Sequence, residues 1–200
     1  FTLQSIFIEA GWPIWPLLIL SIVGLAIIVE RILALRTRLI IPVGMTHDIE
    51  RQLRAGSIDA NAMANIAKSS PLGEILATMI SKKGQSEAAI RLAAEEAAGD
   101  VAYKLNRFLP TLAMIATIAP LMGLFGTVVG MIEIFAAFQP NSTDPGALAR
   151  GISIALYNTG FGILIAIPAV IAHRAFRSRV EYLLFEMEKS ARLLLKHLAP

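Results

Sequence analysis

Three runs of this chain lack charged side chains for long enough to cross a lipid bilayer, and nothing else limits the fold so strongly. They are residues 12–29 (WPIWPLLILSIVGLAIIV), residues 108–132, and residues 151–172. The second run continues to residue 138 with Glu133 as its single charge. A helical span needs about 20 apolar residues. In hydrocarbon every backbone N–H and C=O must be satisfied within the segment, so each run is expected to be a helix. The composition agrees, with 56% hydrophobic and only 16% charged residues, too apolar for a soluble domain of 200 residues. The first run has neither a basic leader nor a small-residue cleavage site, and it reads as a span rather than a signal peptide.

Charge placement supplies a topology. Of 18 Lys and Arg residues, eleven fall within 31–107, six follow residue 172, and one, Arg150, lies in the 139–150 connection. Seventeen therefore share one side, which the positive-inside rule makes the cytoplasm. The expected organisation is a periplasmic segment 1–11, spans 12–30, 108–138 and 151–172, a cytoplasmic helical region 31–107, a periplasmic loop 139–150 and a cytoplasmic amphipathic tail helix 173–200. Anionic lipid headgroups account for the basic edges at Arg36, Arg38, Arg174, Arg177 and Arg179, and no nucleic-acid partner is implied. The chain has no cysteine, which removes disulfide and thiol chemistry.

The first helix is expected to continue to about Ile40, followed by one or two short helices. A long amphipathic helix then starts near Ser86, a candidate cap, with Ile90, Ala94, Ala97, Val101 and Phe108 at helical spacing. With no clear stop before the second span, residues 86–138 read as one helix, roughly 80 Å long at 1.5 Å per residue. After the third span, Phe176, Val180, Leu183, Met187, Leu194 and Leu198 form another apolar stripe. Two amphipathic helices leaving one membrane face are expected to pack on each other or on neighbouring subunits.

The second span carries unusual residues for lipid. Ala116, Pro120, Gly123, Thr127 and Gly130 share one helical face, and Gly126 lies beside it. The third span repeats the pattern with Gly151, Ala155, Thr159, Gly162, Ala166 and Ala169. Small residues let membrane helices approach closely, and two such stripes predict oligomerisation. Pro120 and Pro168 leave the carbonyls of Ala116 and Leu164 without helical partners, which can kink the helices or accept water. A single membrane threonine ordinarily bonds its own helix. Thr127 and Thr159 are both mid-span, however, and Tyr157-Asn158-Thr159 puts three polar side chains in succession there. Polar groups at that depth normally face protein or a wet cavity, so a water-lined interior between spans two and three is expected. Glu133 reads either as a partly hydrated acid near the outer interface, facing Arg150, or as an acidic group at the mouth of a cation path.

No enzyme site is expected. GLFGTVVG has the wrong spacing for dinucleotide binding, and no phosphate loop, serine elbow or metal-spaced histidine cluster occurs. No cofactor or metal is expected either.

The stretch TIAPLMGLFGTVVGMIEIF, followed by GISIALYNTGFGILIAIPAVIAHRAF, resembles the ExbB/TolQ branch of the MotA/TolQ/ExbB proton-channel family. The resemblance implies an all-α protein of three spans whose second and third helices extend into the cytoplasm, assembled as a ring-shaped homopentamer in the bacterial inner membrane. An ExbD/TolR-like single-span protein would sit inside the pore, and proton flow would energise a TonB- or TolA-like protein acting on the outer membrane. Thr127 and Thr159 match the family's pore-lining threonines, and Pro120 and Pro168 match its helix prolines. One departure stands out. Ile154, in GISIAL, occupies a position where these proteins usually carry a glutamate, while Glu133 stands where a neutral residue is commoner. The acidic function is thus expected to have moved to Glu133 or to rest on the partner alone. A sodium-driven stator of the same family, a non-conducting oligomeric scaffold and a small transporter are the competing readings.

Overall fold

The computed structural model describes residues 10–137 and 145–198, which contain eight helices and no strand among the described residues. They are α1 (Ile14–Ala34), α2 (Thr37–Ile40), α3 (Met45–Arg54), α4 (Ala60–Ser69), α5 (Pro71–Ser81), α6 (Glu87–Leu105), α7 (Leu109–Ala137) and α8 (Pro145–Leu198). Residues 1–9 of the expected 1–11 segment and 139–144 of the 139–150 loop fall outside the described residues. Three stretches are long and apolar enough to cross a membrane: α1, the stretch that includes α7, and α8. The chain divides into two units, one of residues 1–30 and 108–175, the other of residues 31–107 and 176–200.

In the first unit α1, α7 and α8 pack around Leu17, Ala119 and Ala166, with Leu20, Met122, Phe161 and Ile165 against them. α1 approaches α7 at Gly24, where an added Cβ would stand 3.6 Å from Ile115. The opposite faces stay exposed: Ile19, Ile22, Leu121, Leu124, Leu164 and Ile171 are all large, apolar and uncovered. An apolar surface of that extent belongs in lipid or against other helices.

The second unit is built on α5, in which Leu72, Ile75, Leu76, Met79 and Ile80 are all buried. Ser70 caps this helix by accepting the Gly73 N–H at 3.0 Å. Gly73 itself admits no side chain, because a Cβ would lie 2.0 Å from the Ile66 carbonyl of α4. α6 packs on α5 through Ile90, Ala97, Val101 and Leu105, and Lys104 pairs with Glu74 at 2.7 Å. The end of α8 contributes Val180, Leu183, Met187, Leu194 and Leu198 to the interior. It is tied down where His197 Nε2 meets Glu50 Oε1 at 2.9 Å.

Three expectations are corrected. α1 stops at Ala34, because Arg36 adopts extended backbone (φ −71°, ψ 127°) and redirects the chain into α2; four short helices follow, not one or two. Residues 86–138 are not one helix either. A turn at residues 106–108 separates α6 from α7, with Phe108 at φ 64°. The break has chemical causes. Pro110 cannot accept helical geometry with the carbonyl of Asn106, four residues back. Arg31, only 4% exposed, also donates Nη1–H to the carbonyl of Leu105 at 3.0 Å, completing the end of α6. Between α6 and the tail of α8 lies an open cavity of about 880 Å³, lined on the α6 side by the small residues Ala94, Ala98, Gly99 and Ala102.

Candidate functional site: the seam between α7 and α8

The seam is formed by backbone meeting backbone. A Cβ on Gly123 would lie 2.8 Å from the Asn158 carbonyl, and one on Gly162 would lie 2.6 Å from the Ala119 carbonyl. Further along, a Cβ on Gly130 would come within 2.5 Å of the Gly151 carbonyl. Such contacts are possible only because both helices present hydrogen instead of methyl at these points. The face of α7 that meets α8 is Ala119, Gly123, Gly126 and Gly130, rotated from the expected stripe through Ala116, Pro120 and Thr127. Both glycine stripes are thus engaged within a single protomer. Their presence does not by itself require a second copy, contrary to the sequence expectation.

Asn158 sets this rotation. Its side chain is fully buried and lies over Gly126, where an added Cβ would be 2.3 Å from the Asn158 Cβ. Nδ2 donates to the carbonyls of Ala10, at 2.7 Å, and Ile154, at 2.8 Å, while Oδ1 has no hydrogen-bond partner. A side chain with no exposed surface in the protomer cannot line a lumen formed between protomers, so Asn158 is corrected from a pore position to an internal strut. It fastens the chain entering α1 to α8. Ile154 is also buried, within 3.6 Å of where a Gly11 Cβ would be. An acid at that position would be enclosed against backbone, and an apolar residue suits it.

The two threonines differ from each other in setting. Thr127 is half-buried and donates to the Leu124 carbonyl of its own helix at 2.6 Å. Thr159 is half-buried and reaches across the seam toward the Gly123 carbonyl at 3.4 Å. Each hydroxyl has one proton and spends it on a carbonyl, leaving lone pairs as what it offers to anything arriving. Tyr157 is half-buried beside Asn158. Glu133 is exposed on α7, and among the described residues neither it nor Arg150 makes an ion pair. Pro120 is half-buried and Pro168 exposed, and α7 and α8 run through them. The structure therefore groups Thr159 with Gly123 and Gly162, and leaves Thr127 and Glu133 further along α7. Among the described residues no set of His, Asp or Glu is placed to hold a metal ion.

What this arrangement defines is a multi-pass helical membrane protein whose polar mid-span groups are hydroxyls and an amide. The profile of the MotA/TolQ/ExbB proton channel family matches residues 49–189. The chain is 32% identical over 180 residues to the biopolymer transport protein exbB1 of Vibrio cholerae, covering 84% of this chain and 76% of that one. It is 40% identical over 82 residues to the Tol-Pal system protein TolQ of Pseudomonas aeruginosa, covering 40% and 36%. To ExbB of Salmonella typhimurium it is 40% identical over 70 residues, covering 34% and 29%. The chain belongs to the MotA/TolQ/ExbB family, in its ExbB/TolQ branch.

Proposed function

We propose that this protein is the channel-forming stator subunit of an ion-driven motor in the inner membrane. Five copies form a ring, an ExbD/TolR-like single-span protein occupies the pore, and the work passes to a TonB- or TolA-like protein acting on the outer membrane. The observation that carries the reading is the pair of threonine hydroxyls on α7 and α8, each donating its proton to a backbone carbonyl and each keeping partly open surface. Such oxygens accept hydrogen bonds from water or from a protonated carboxyl. A partner's carboxylate could thus be hydrated in its charged form and received in its neutral form. The driving energy is about 2.3 kcal/mol per charge per 100 mV, enough for small repeated steps. The glycine seam holds each α7–α8 pair close-packed as one unit of the wall. Glu133, exposed toward one end of α7, supplies a negative charge at the pore's outer mouth.

The same oxygens also serve sodium, and proteoliposome flux separates the two ions. Thr127→Val and Thr159→Val are isosteric and remove only the hydroxyl. With the partner present, each variant is expected to retain the native oligomeric mass and lose ion flux at least roughly tenfold, the order expected when a buried polar group is left without its partner. Retained flux in both variants would leave the scaffold reading in its place.

A further inference from the structure

The second unit leaves two helix faces uncovered, and they are opposite in charge. On α6 the outward face carries Leu92, Glu96, Asp100 and Tyr103, all exposed. On the tail of α8 it carries Tyr182, Lys189, Leu193 and Lys196, also exposed. Tyr103 is 85% exposed, Leu92 57% and Tyr182 51%, values out of place for large side chains on amphipathic helices that have already buried their inner stripes. Among the described residues Glu96, Asp100, Lys189 and Lys196 make no ion pair. One face is acidic and the other basic, and each has apolar groups interspersed.

We propose that the acidic face of α6 in one copy docks on the basic face of the α8 tail in the next copy. The inference rests on the ring proposed above and assigns the surface that closes it outside the membrane. An interface that joins two different faces is head-to-tail, and it forms a ring when the rotation between copies closes. The register follows from the fold of one copy. Within the protomer α6 and the α8 tail run antiparallel, with Gly84 N–H directed at the Leu198 carbonyl, 3.5 Å away. Rotation about a ring axis along these helices adds no translation, so residues level within one copy stay level between copies. To within a helical turn this puts Leu92 against Leu193, Glu96 against Lys189 and Tyr103 against Tyr182. The two charged residues pair between apolar contacts above and below.

The absence of cysteine makes the test direct. Leu92→Cys and Leu193→Cys are introduced together into the full-length protein, oxidised in membranes, and resolved without reductant. A ladder of covalent multimers is expected, and none from either single variant. Glu96→Lys or Lys189→Glu alone should lower the cross-linking yield roughly two- to fivefold, the range of an exposed ion pair, and the double exchange should restore it. A disulfide confined to one chain, or a dimer from Leu92→Cys alone, would overturn the pairing. An oligomeric native mass with no ladder would overturn this docking while leaving the ring in place. A monomeric native mass would remove the ring itself.

Discussion

At Gly126 the seam has no room for a methyl group. The nearest obstacle is the Cβ of Asn158, 2.3 Å from where a new Cβ would stand, rather than the flexible end of its side chain. Gly126→Ala is therefore expected to destabilise the protein by about 1–3 kcal/mol, the usual cost of overpacking. Shortening the neighbour with Asn158→Ala should not rescue it, because the obstructing atom remains. Thermal unfolding of the detergent-solubilised single and double variants checks this, and rescue by Asn158→Ala would show that the amide, not the Cβ, holds the helices apart. Asn158 also shows why the rotation of α7 was not legible in the sequence. Small residues occur on two adjacent faces of that span, and either could have met α8. The choice depends on an amide held by the carbonyl of Ala10, 148 residues away in the chain, and no local pattern records that bond.

At the scale of elements, the spans were readable because hydrocarbon leaves the backbone one solution, and charge-poor length alone identifies it. The stop between α6 and α7 was missed, although Pro110 carries part of its signal: a proline in the first turn of a helix rejects the carbonyl four residues earlier, here that of Asn106. Arg31, the third part of that stop, was not readable, because it comes from another helix. The caps offer a graded test of how much such local signals stabilise. Ser70 is buried and accepts the Gly73 N–H at 3.0 Å, whereas Ser86 is exposed and accepts the Ala89 N–H at 3.3 Å. Ser70→Ala should cost about 1–2 kcal/mol and Ser86→Ala about 0.5 kcal/mol, the two ends of the range for N-caps. Amide exchange resolved to the first turns of α5 and α6 measures both. Equal losses would mean that burial of the cap contributes nothing beyond the hydrogen bond.

For the whole molecule, orientation decides on which side of the membrane the second unit lies and at which end of the proposed ion path Glu133 stands. If all three apolar stretches cross, the residues before α1 and those after residue 172 are expected on opposite faces of the membrane. The segments 31–107 and 173–200 hold 17 of the 18 Lys and Arg residues, while the 139–150 loop holds only Arg150. Transferring that much positive charge outward opposes both the membrane potential and the anionic inner leaflet. A green fluorescent protein fused after Pro200 is therefore expected to fluoresce, and alkaline phosphatase fused there to be inactive. Alkaline phosphatase inserted between residues 141 and 144 should be active. Because the bias comes from many residues rather than one, neutralising Arg150 should leave the pattern unchanged, whereas adding four lysines to that loop should set two positive segments against each other and reduce insertion. The reverse pattern of reporter activity would put the acidic and basic faces of α6 and α8 in the periplasm. The charge pairs proposed between copies would then face the outer compartment, and Glu133 would stand at the inner end of the ion path.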